Sequence, residues 1–460
     1  MLCEPISLEA FLRRLTQAMR ARCISYCIMR NHERLPEENV ANDIDFLIRE
    51  SDVPRVKDAV SAVDGVKVTG FLERPFALHF SFFGVQWGDE RRAILVDFNY
   101  RLAWKGIPYL DVDEILREAR PRSAGPEWII VPAEEDEAVM SFGASYLVGG
   151  FIKEKYQTAV SEVFRRRRDA VAGRLRWTAG SKDALAFVEA VGRDDRDALL
   201  RNLGVYRRRM LYRALTRRPL RTAASMVRHY LGEFRIRYTG AALDSVCIMG
   251  ADGAGKSTVI ELVRRELRGA ARIVDVRHLK PNLLRRRHVG ATVSNPHGKT
   301  PRSRVVSVAK VVFWSLEYWI DRIARAPRNH TLLIWDRYFD DLLVDSTRYR
   351  YSGPRELVRT LCDLVPRPGR FILLDAPAEI LQARKQEVAY EESSRQRKQY
   401  RALVAAMPSG VIVDATLPAQ EVAASTVEAI VDYLEQQTAR RGLRPTERPA
   451  ADAAETAHAG

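Results

Sequence analysis

Long apolar runs are missing from this 460-residue chain. None approaches the roughly 18 residues that a membrane-crossing helix needs, so no span is expected. The first residues, MLCEPISLEAFLRR, carry Glu4 and Glu9 where an export leader would be apolar, so no export signal is expected. The protein is expected in the cytoplasm, with the inner face of the membrane as a place for peripheral docking. Cysteine is scarce and odd in number: Cys3, Cys23, Cys27, Cys247 and Cys362. A disulfide framework is therefore not expected, and buried free thiols are. Cys23 and Cys27 lack companion ligands for a metal. Zinc-finger and RNA-binding aromatic motifs are absent too, so the sequence gives no strong nucleic-acid signal.

Charge is plentiful and unevenly placed. The chain carries a formal net charge of +15, and Arg165 to Arg237 holds 20 Lys/Arg against 7 Asp/Glu, a net of +13. This stretch reads as several helices with clusters at Arg165 to Arg168 and Arg207 to Arg209, and with Leu211, Leu215, Met226, Tyr230 and Leu231 as apolar faces. Three readings stand open: a solvated helical linker, a surface that docks on anionic lipid headgroups, and a polyanion or nucleic-acid contact. From about Arg440 the chain turns rich in alanine, proline and charge and is expected to be disordered.

The most informative segment is Ser245 to Thr258, SVCIMGADGAGKST. An apolar strand runs into a glycine-rich loop and then into a pattern of Val259, Leu262, Val263 and Leu267 at helical spacing. Gly250, Gly255, Lys256 and Ser257 match G-x-x-x-x-G-K-[ST], with Asp252, Gly253 and Ala254 inside the loop and Thr258 after it. In such a loop glycines let backbone N–H groups curl around a phosphate, the lysine reaches the β/γ oxygens, and the serine can ligate Mg²⁺. A bound ATP with Mg²⁺ is the expected cofactor pair.

Further strands follow. Thr331 to Trp335 ends in Asp336-Arg337-Tyr338, and Phe371 to Leu374 meets Asp375-Ala376-Pro377. A helix with Arg384 and Lys385 comes next, then the charged stretch Gln386 to Lys398 and a last strand Val411 to Val413. Carboxyl ends of strands in open α/β sheets are where ligands bind. Asp336 is expected to hold Mg²⁺ and Arg337 a phosphate oxygen pair, which its planar fork suits. The charged stretch reads either as a solvated helix face or as a mobile lid.

Taken together, GADGAGKST, WDRY at 335–338, LLDAP at 373–377 and Arg384 resemble the thymidylate kinase family of P-loop nucleoside-monophosphate kinases over Leu243 to Glu435. The resemblance implies that Asp252 touches the acceptor's sugar hydroxyl, that Arg337 binds the acceptor phosphate, and that Arg384 stabilises the transition state. It also departs from the family. After DRY stand Asp340, Asp341 and Asp345 where a serine and a Tyr-Gln pair are usual. His278-Leu279-Lys280-Pro281-Asn282 replaces a glutamate-bearing turn, and Glu317-Tyr318 stands where an arginine reads thymine. The acceptor is thus expected to be a phosphorylated small molecule other than dTMP, and the extra acids are expected to repel a bare nucleotide phosphate unless a metal or a sugar hydroxyl meets them.

A second constellation lies near the N-terminus. Asn42 to Ile48 puts Asp43 and Asp45 at i and i+2 on a strand, on one face; Asp97 lies in another strand, Ala93 to Phe98, after the alternating run Ala77 to Phe83. Three converging carboxylates can hold two Mg²⁺ for nucleotidyl transfer. This resembles the polymerase-β type of nucleotidyltransferase, without its upstream Gly-Ser turn, since Met29-Arg30-Asn31 stands there. Active and purely structural versions of this domain remain open.

The expected architecture is α/β: a nucleotidyltransferase-like α+β domain over 1–150, a basic helical bridge over 151–242, a P-loop kinase with a parallel sheet flanked by helices over 243–438, and a disordered tail over 439–460. The function expected is ATP- and Mg²⁺-dependent phosphoryl transfer to a nucleoside monophosphate or another phosphorylated acceptor. The alternatives are a nucleotide-gated protein that docks on a membrane or polyanion, and nucleotidyl transfer at the N-terminal acids. A homodimer is a further expected partner state.

Overall fold

A computed structural model describes residues 4–88, 91–239, 242–279, 302–324, 326, 329–385 and 389–443. Cys3, Lys280 to Asn282, the start of the charged stretch at 386–388 and the tail beyond 443 lie outside the described residues. The chain divides into two compact units, one of residues 1–4, 81–95 and 233–437, the other of 5–80, 96–232 and 438–460.

The N-terminal unit begins with helix α1 (Leu8–Ala21), capped by the Ser7 hydroxyl, which accepts from the Ala10 N–H at 3.2 Å. Phe11, Leu12, Leu15 and Met19 recur along one face and are fully buried. Strands β1 (Tyr26–Ile28), β2 (Asp43–Ile48), β3 (Lys67–Arg74), β4 (Ala77–Trp87) and β5 (Arg91–Asn99) follow. With the two-residue strand Ile6–Ser7 they form a sheet in the order Ile6–Ser7, β4, β5, β2, β1, with β3 also on β4. β1 and β2 are antiparallel, Tyr26 opposite Ile48. The order matters for function, because it makes β5 the neighbour of β2 and so brings Asp97 beside Asp43 and Asp45.

Helices α2 (Glu134–Gly143), α3 (Glu154–Arg166), α4 (Arg168–Ala179), α5 (Ser181–Gly192), α6 (Arg196–Arg217) and α7 (Pro219–Tyr238) come next. Their apolar faces share one core with Cys27, Leu47, Leu102 and Tyr109, so most of the basic helices pack on the N-terminal residues. Much of their charge is spent internally. Arg174 is clasped by Glu114, Glu118 and the fully buried Asp136, whose carboxyl is pushed up to about 7 by burial against the pull of Arg174. Arg209 pairs with Asp183 at 2.5 Å. Arg207 donates twice to the Leu147 carbonyl, at 3.0 and 2.7 Å, and lies over the Trp104 ring. The Arg207 to Arg209 cluster is therefore partly a structural clamp rather than an open basic patch.

The second unit holds β6 (Leu243–Met249), α8 (Lys256–Glu266), β7 (Ile273–His278), α9 (Arg304–Ala324), β8 (Thr331–Asp336), α10 (Arg355–Leu364), β9 (Arg370–Asp375), α11 (Ala378–Arg384), α12 (Tyr390–Ala405), β10 (Gly410–Asp414) and α13 (Ala419–Arg440). The strands are all parallel and ordered β7-β8-β6-β9-β10. Such a sheet is apolar on both faces, which is why Val246 to Met249, Leu332 to Trp335 and Phe371 to Leu374 read as continuous apolar runs and are buried. The mixed α/β class and the parallel sheet agree with the sequence reading. Among the described residues no helix is long and apolar enough to cross a membrane.

Cysteine burial follows expectation at Cys27, Cys247 and Cys362, and fails at Cys23, which is exposed. Cys23 sits in the turn that ends α1, with φ 53° and its N–H on the Arg20 carbonyl at 2.9 Å. That turn faces outward, and the spacing of apolar residues does not reveal it.

Candidate functional site

Chain order around β6 creates the site. From β6 the chain crosses to one side of the sheet through β7 and β8, then returns to the other side through β9 and β10, so the carboxyl end of β6 lies where the winding reverses. Loop 250–255 leaves β6 at this point and α8 starts at Lys256. Register places Ile248 beside Asp336 and Met249 beside Leu373, so both neighbouring strands end next to the loop.

Backbone shape requires the glycines. Gly250 (φ 156°) and Gly253 (φ 87°) leave no room for a side chain: a Cβ would stand 2.7 Å from the Leu374 carbonyl oxygen and 2.6 Å from that of Leu381. Gly255 (φ 80°) faces open space, so there the left-handed backbone alone demands glycine. Ala254 is buried, whereas Ser257 and Thr258 are exposed on the first turn of α8.

Lys256 is buried, and its ammonium donates to the Gly250 and Ala251 carbonyls, each at 2.9 Å. Burial, and after it the positive charge of Arg337, pulls its pKa down to about 7 against Asp252, Asp336 and Asp341. Asp336 lies at the end of β8, one oxygen bonded to His278 Nδ1 at 2.9 Å and the other buried without a hydrogen-bond partner. Burial opposes its charge, but the hydrogen bond and charge of His278, with Lys256 and Arg337, hold the carboxyl below its usual range.

Arg337 adopts φ 67°, a rare conformation for a side chain of this size. The twist turns its guanidinium beneath the loop, where only 3% of the side chain is exposed. It donates to Asp252 at 2.6 Å, to both oxygens of Asp341 at 3.2 and 3.1 Å, and to the Tyr400 hydroxyl at 3.0 Å. Arg348 also holds Asp252, at 3.0 and 2.8 Å. Burial works against the Asp252 charge, yet Arg337, Lys256 and Arg348 together lower its pKa to about 2.

The three acids after DRY do not line an open pocket. Asp341 is fully buried and accepts from Arg337, Tyr349 and, at 2.5 Å, Tyr400. Asp340 pairs with Arg367 at 2.9 Å, and burial, partly countered by that arginine, raises its pKa to about 6. Asp345 accepts from the Arg348 N–H at 3.0 Å and is buried. The expected repulsion of a nucleotide phosphate therefore loses its basis: these charges are compensated from within. Glu317 is also buried, on α9.

On the other side of the loop Asp375, ending β9, accepts from Arg397 at 2.9 and 3.0 Å and from Arg401 at 2.5 Å. Both arginines stand one turn apart on α12, which begins within the charged stretch and carries Arg401 beyond its end at Lys398. Arg384 instead donates to the Ala415 carbonyl at 2.8 Å. Sequence reasoning missed Arg348, Arg397, Arg401, Tyr349 and Tyr400. The i, i+4 spacing of the two α12 arginines was the one available signal.

The N-terminal acids do converge. One oxygen from each of Asp43, Asp45 and Asp97 lies within 4.8 Å of the others. Asp45 is buried and salt-bridged to Arg30 at 2.7 Å, and Asp97 contacts His79 Nδ1 at 2.6 Å. Burial raises the Asp45 pKa; Arg30 opposes the rise, while Asp97 and Asp43 add to it. Carboxylates that repel in this way favour a proton or a hard cation, and oxygen donors of this kind suit Mg²⁺. Arg30, standing where a Gly-Ser turn was looked for, already supplies one positive charge. No protein-family model matches the chain, and no curated protein matches it.

Proposed function

We propose that the unit built on β6 to β10 performs ATP- and Mg²⁺-dependent phosphoryl transfer to a phosphorylated acceptor, as the resemblance to thymidylate kinases implies. The observation that carries this reading is the position of loop 250–255, between β6 and the N-terminus of α8 at the reversal point of a parallel sheet. Backbone N–H groups and the helix dipole at such a place attract phosphate.

The residues present fit the cofactor. The Lys256 ammonium rests on two neutral carbonyls, which a charged phosphate oxygen outcompetes. Asp336 keeps a buried oxygen without a partner, and the Ser257 hydroxyl is exposed at the head of α8, so these two would hold Mg²⁺. Bound ATP with Mg²⁺ supplies the phosphoryl group and neutralises its oxygens. Lys256, when protonated, adds a positive charge at the loop. Arg337 and Arg348 fix the Asp252 carboxylate as an acceptor for a hydroxyl of the second substrate. Arg337 thus acts on the acceptor by holding Asp252. Arg384, Arg397 and Arg401 supply positive charge beside β9 and β10.

The test is ATP consumption by the purified chain against a panel of nucleoside and sugar monophosphates, with Lys256→Ala as control. Turnover with one acceptor, lost in the folded variant, is expected. dTMP should be turned over with kcat/KM below about 10⁴ M⁻¹s⁻¹. Unchanged ATP affinity and turnover in Lys256→Ala would refute the reading.

A second reading, nucleotidyl transfer at Asp43, Asp45 and Asp97, is favoured by their convergence within 4.8 Å. Asp97→Asn would abolish such an activity and leave ATP consumption at the loop intact.

A further inference from the structure

A cavity of about 630 Å³ opens in the N-terminal unit, and neither the three triad acids nor any motif of the sequence lines it. Its volume lies in the range of small-molecule sites. One wall is the corner where α6 ends and α7 begins; the other is the segment 100–114 with Arg49 and Glu50. The corner is built to hold. Gly106, at φ 90°, lies so close to α7 that a Cβ would stand 2.6 Å from the Ser225 carbonyl oxygen. The Ser225 hydroxyl donates to the Gly106 carbonyl at 2.7 Å and accepts from Arg101 at 2.9 Å.

Charge in the cavity is strongly biased. Arg213, Arg217, Arg218 and Arg221 line it from the corner. The acids on its walls are already matched: Glu50 by Arg101 at 2.6 Å and Arg228 at 2.5 Å, Asp113 by Arg49 at 3.1 Å, and Glu114 by Arg174. Asp111 accepts the Asp113 N–H at 2.9 Å as the cap of the short helix Val112–Glu118. Among the described residues, Arg213, Arg218 and Arg221 have no carboxylate partner. A solvated helix face accounts for the exposure of Arg218 and Arg221 but not for the gathering of these arginines, with the half-buried Arg213, around a concave, partly apolar space lined by Ile107, Leu110 and Met210.

We propose that this cavity binds a small molecule carrying a di- or triphosphate, its phosphates held by the corner arginines and its less polar part on Ile107, Leu110 and Met210. Guanidinium forks pair with phosphate oxygens two at a time, and a cleft of one sign concentrates anions. The inference does not depend on the role of loop 250–255.

The experiment is calorimetric titration of inorganic tripolyphosphate into the full chain carrying Lys256→Met, which silences the loop while keeping the volume of the buried stem. One site per chain is expected, weakened by added salt. Arg218→Glu with Arg221→Glu, both at exposed positions, should weaken it by at least about tenfold, and the paired alanine variants should shift it in the same direction by less. Absence of tripolyphosphate binding, or equal affinity in the charge-reversed protein, overturns the proposal. So does binding to phosphatidylglycerol vesicles without binding of the free anion, which would assign these arginines to a membrane surface.

Discussion

Arg337 Nη2 stands 2.6 Å from Asp252 Oδ1, a guanidinium and a carboxylate withdrawn from solvent and separated by 85 residues of chain. The pair joins the loop after β6 to the end of β8. It makes the acid of the loop a fixed element rather than a mobile side chain.

Replacement Arg337→Lys keeps the charge and loses the fork that spans Asp252 and Asp341. Stability should fall by about 1.5–3 kcal/mol, the range for hydrogen bonds to charged groups. Turnover on the true acceptor should drop while ATP affinity changes little. Urea unfolding and separate kcat and KM values check both; a parallel fall of ATP affinity would move Arg337 to the donor side.

Asp252 also sets an acid limb. Its folded pKa, lowered to about 2, lies below the ordinary carboxylate value, so its contribution is complete above about pH 4 and is lost as pH falls toward 2. The shift corresponds to about 2 kcal/mol. Denaturant midpoints measured across this window should flatten in Asp252→Asn relative to the parent chain.

Lys256 gives the opposite dependence for ligand binding. With its free pKa near 7 and its ammonium required by a phosphate, nucleotide affinity is greatest below about pH 7 and declines by up to about tenfold per unit above it. ADP titrations from about pH 6 to 9 read this directly. Lys256→Arg, charged throughout, should give a flat profile if it folds; a flat profile in the parent chain would contradict the depressed pKa.

Glycine replacements separate sterics from backbone strain. Gly255→Ala adds only the cost of a left-handed conformation, about 1 kcal/mol. Gly253→Ala adds the same cost and a Cβ 2.6 Å from the Leu381 carbonyl, so its melting temperature should fall further. Equal losses would mean that α11 yields without penalty.

Local chemistry was readable from the sequence where it is written in consecutive residues. The strand runs before the loop, before Asp336 and before Asp375 are apolar because the sheet is covered on both faces; the first ends at the glycine that opens the loop and the other two in the carboxylate that meets the site. Partnerships across the chain were not readable. Asp341 looks like a surface acid beside Asp340, yet its charge is met by Tyr349 and Tyr400, the latter 59 residues away. Arg348 carries no motif, and its role appears only when the turn after Asp345 brings it over Asp252. The basic helices read as a uniformly charged bridge, because pairing of Arg174 with Glu114, Glu118 and Asp136 depends on tertiary packing alone.

The bond from Tyr400 to Asp341 has a mechanical consequence for α12. It pins the helix near its middle to the segment that follows β8, and Arg401, one residue on, is tied to β9 through Asp375. Arg397, one turn before Arg401, is tied to the same carboxylate, and Arg395 donates to the Val344 carbonyl at 3.2 Å. α12 is therefore a cross-brace between the ends of β8 and β9: rotating it about its own axis would break charged hydrogen bonds to both strand ends at once.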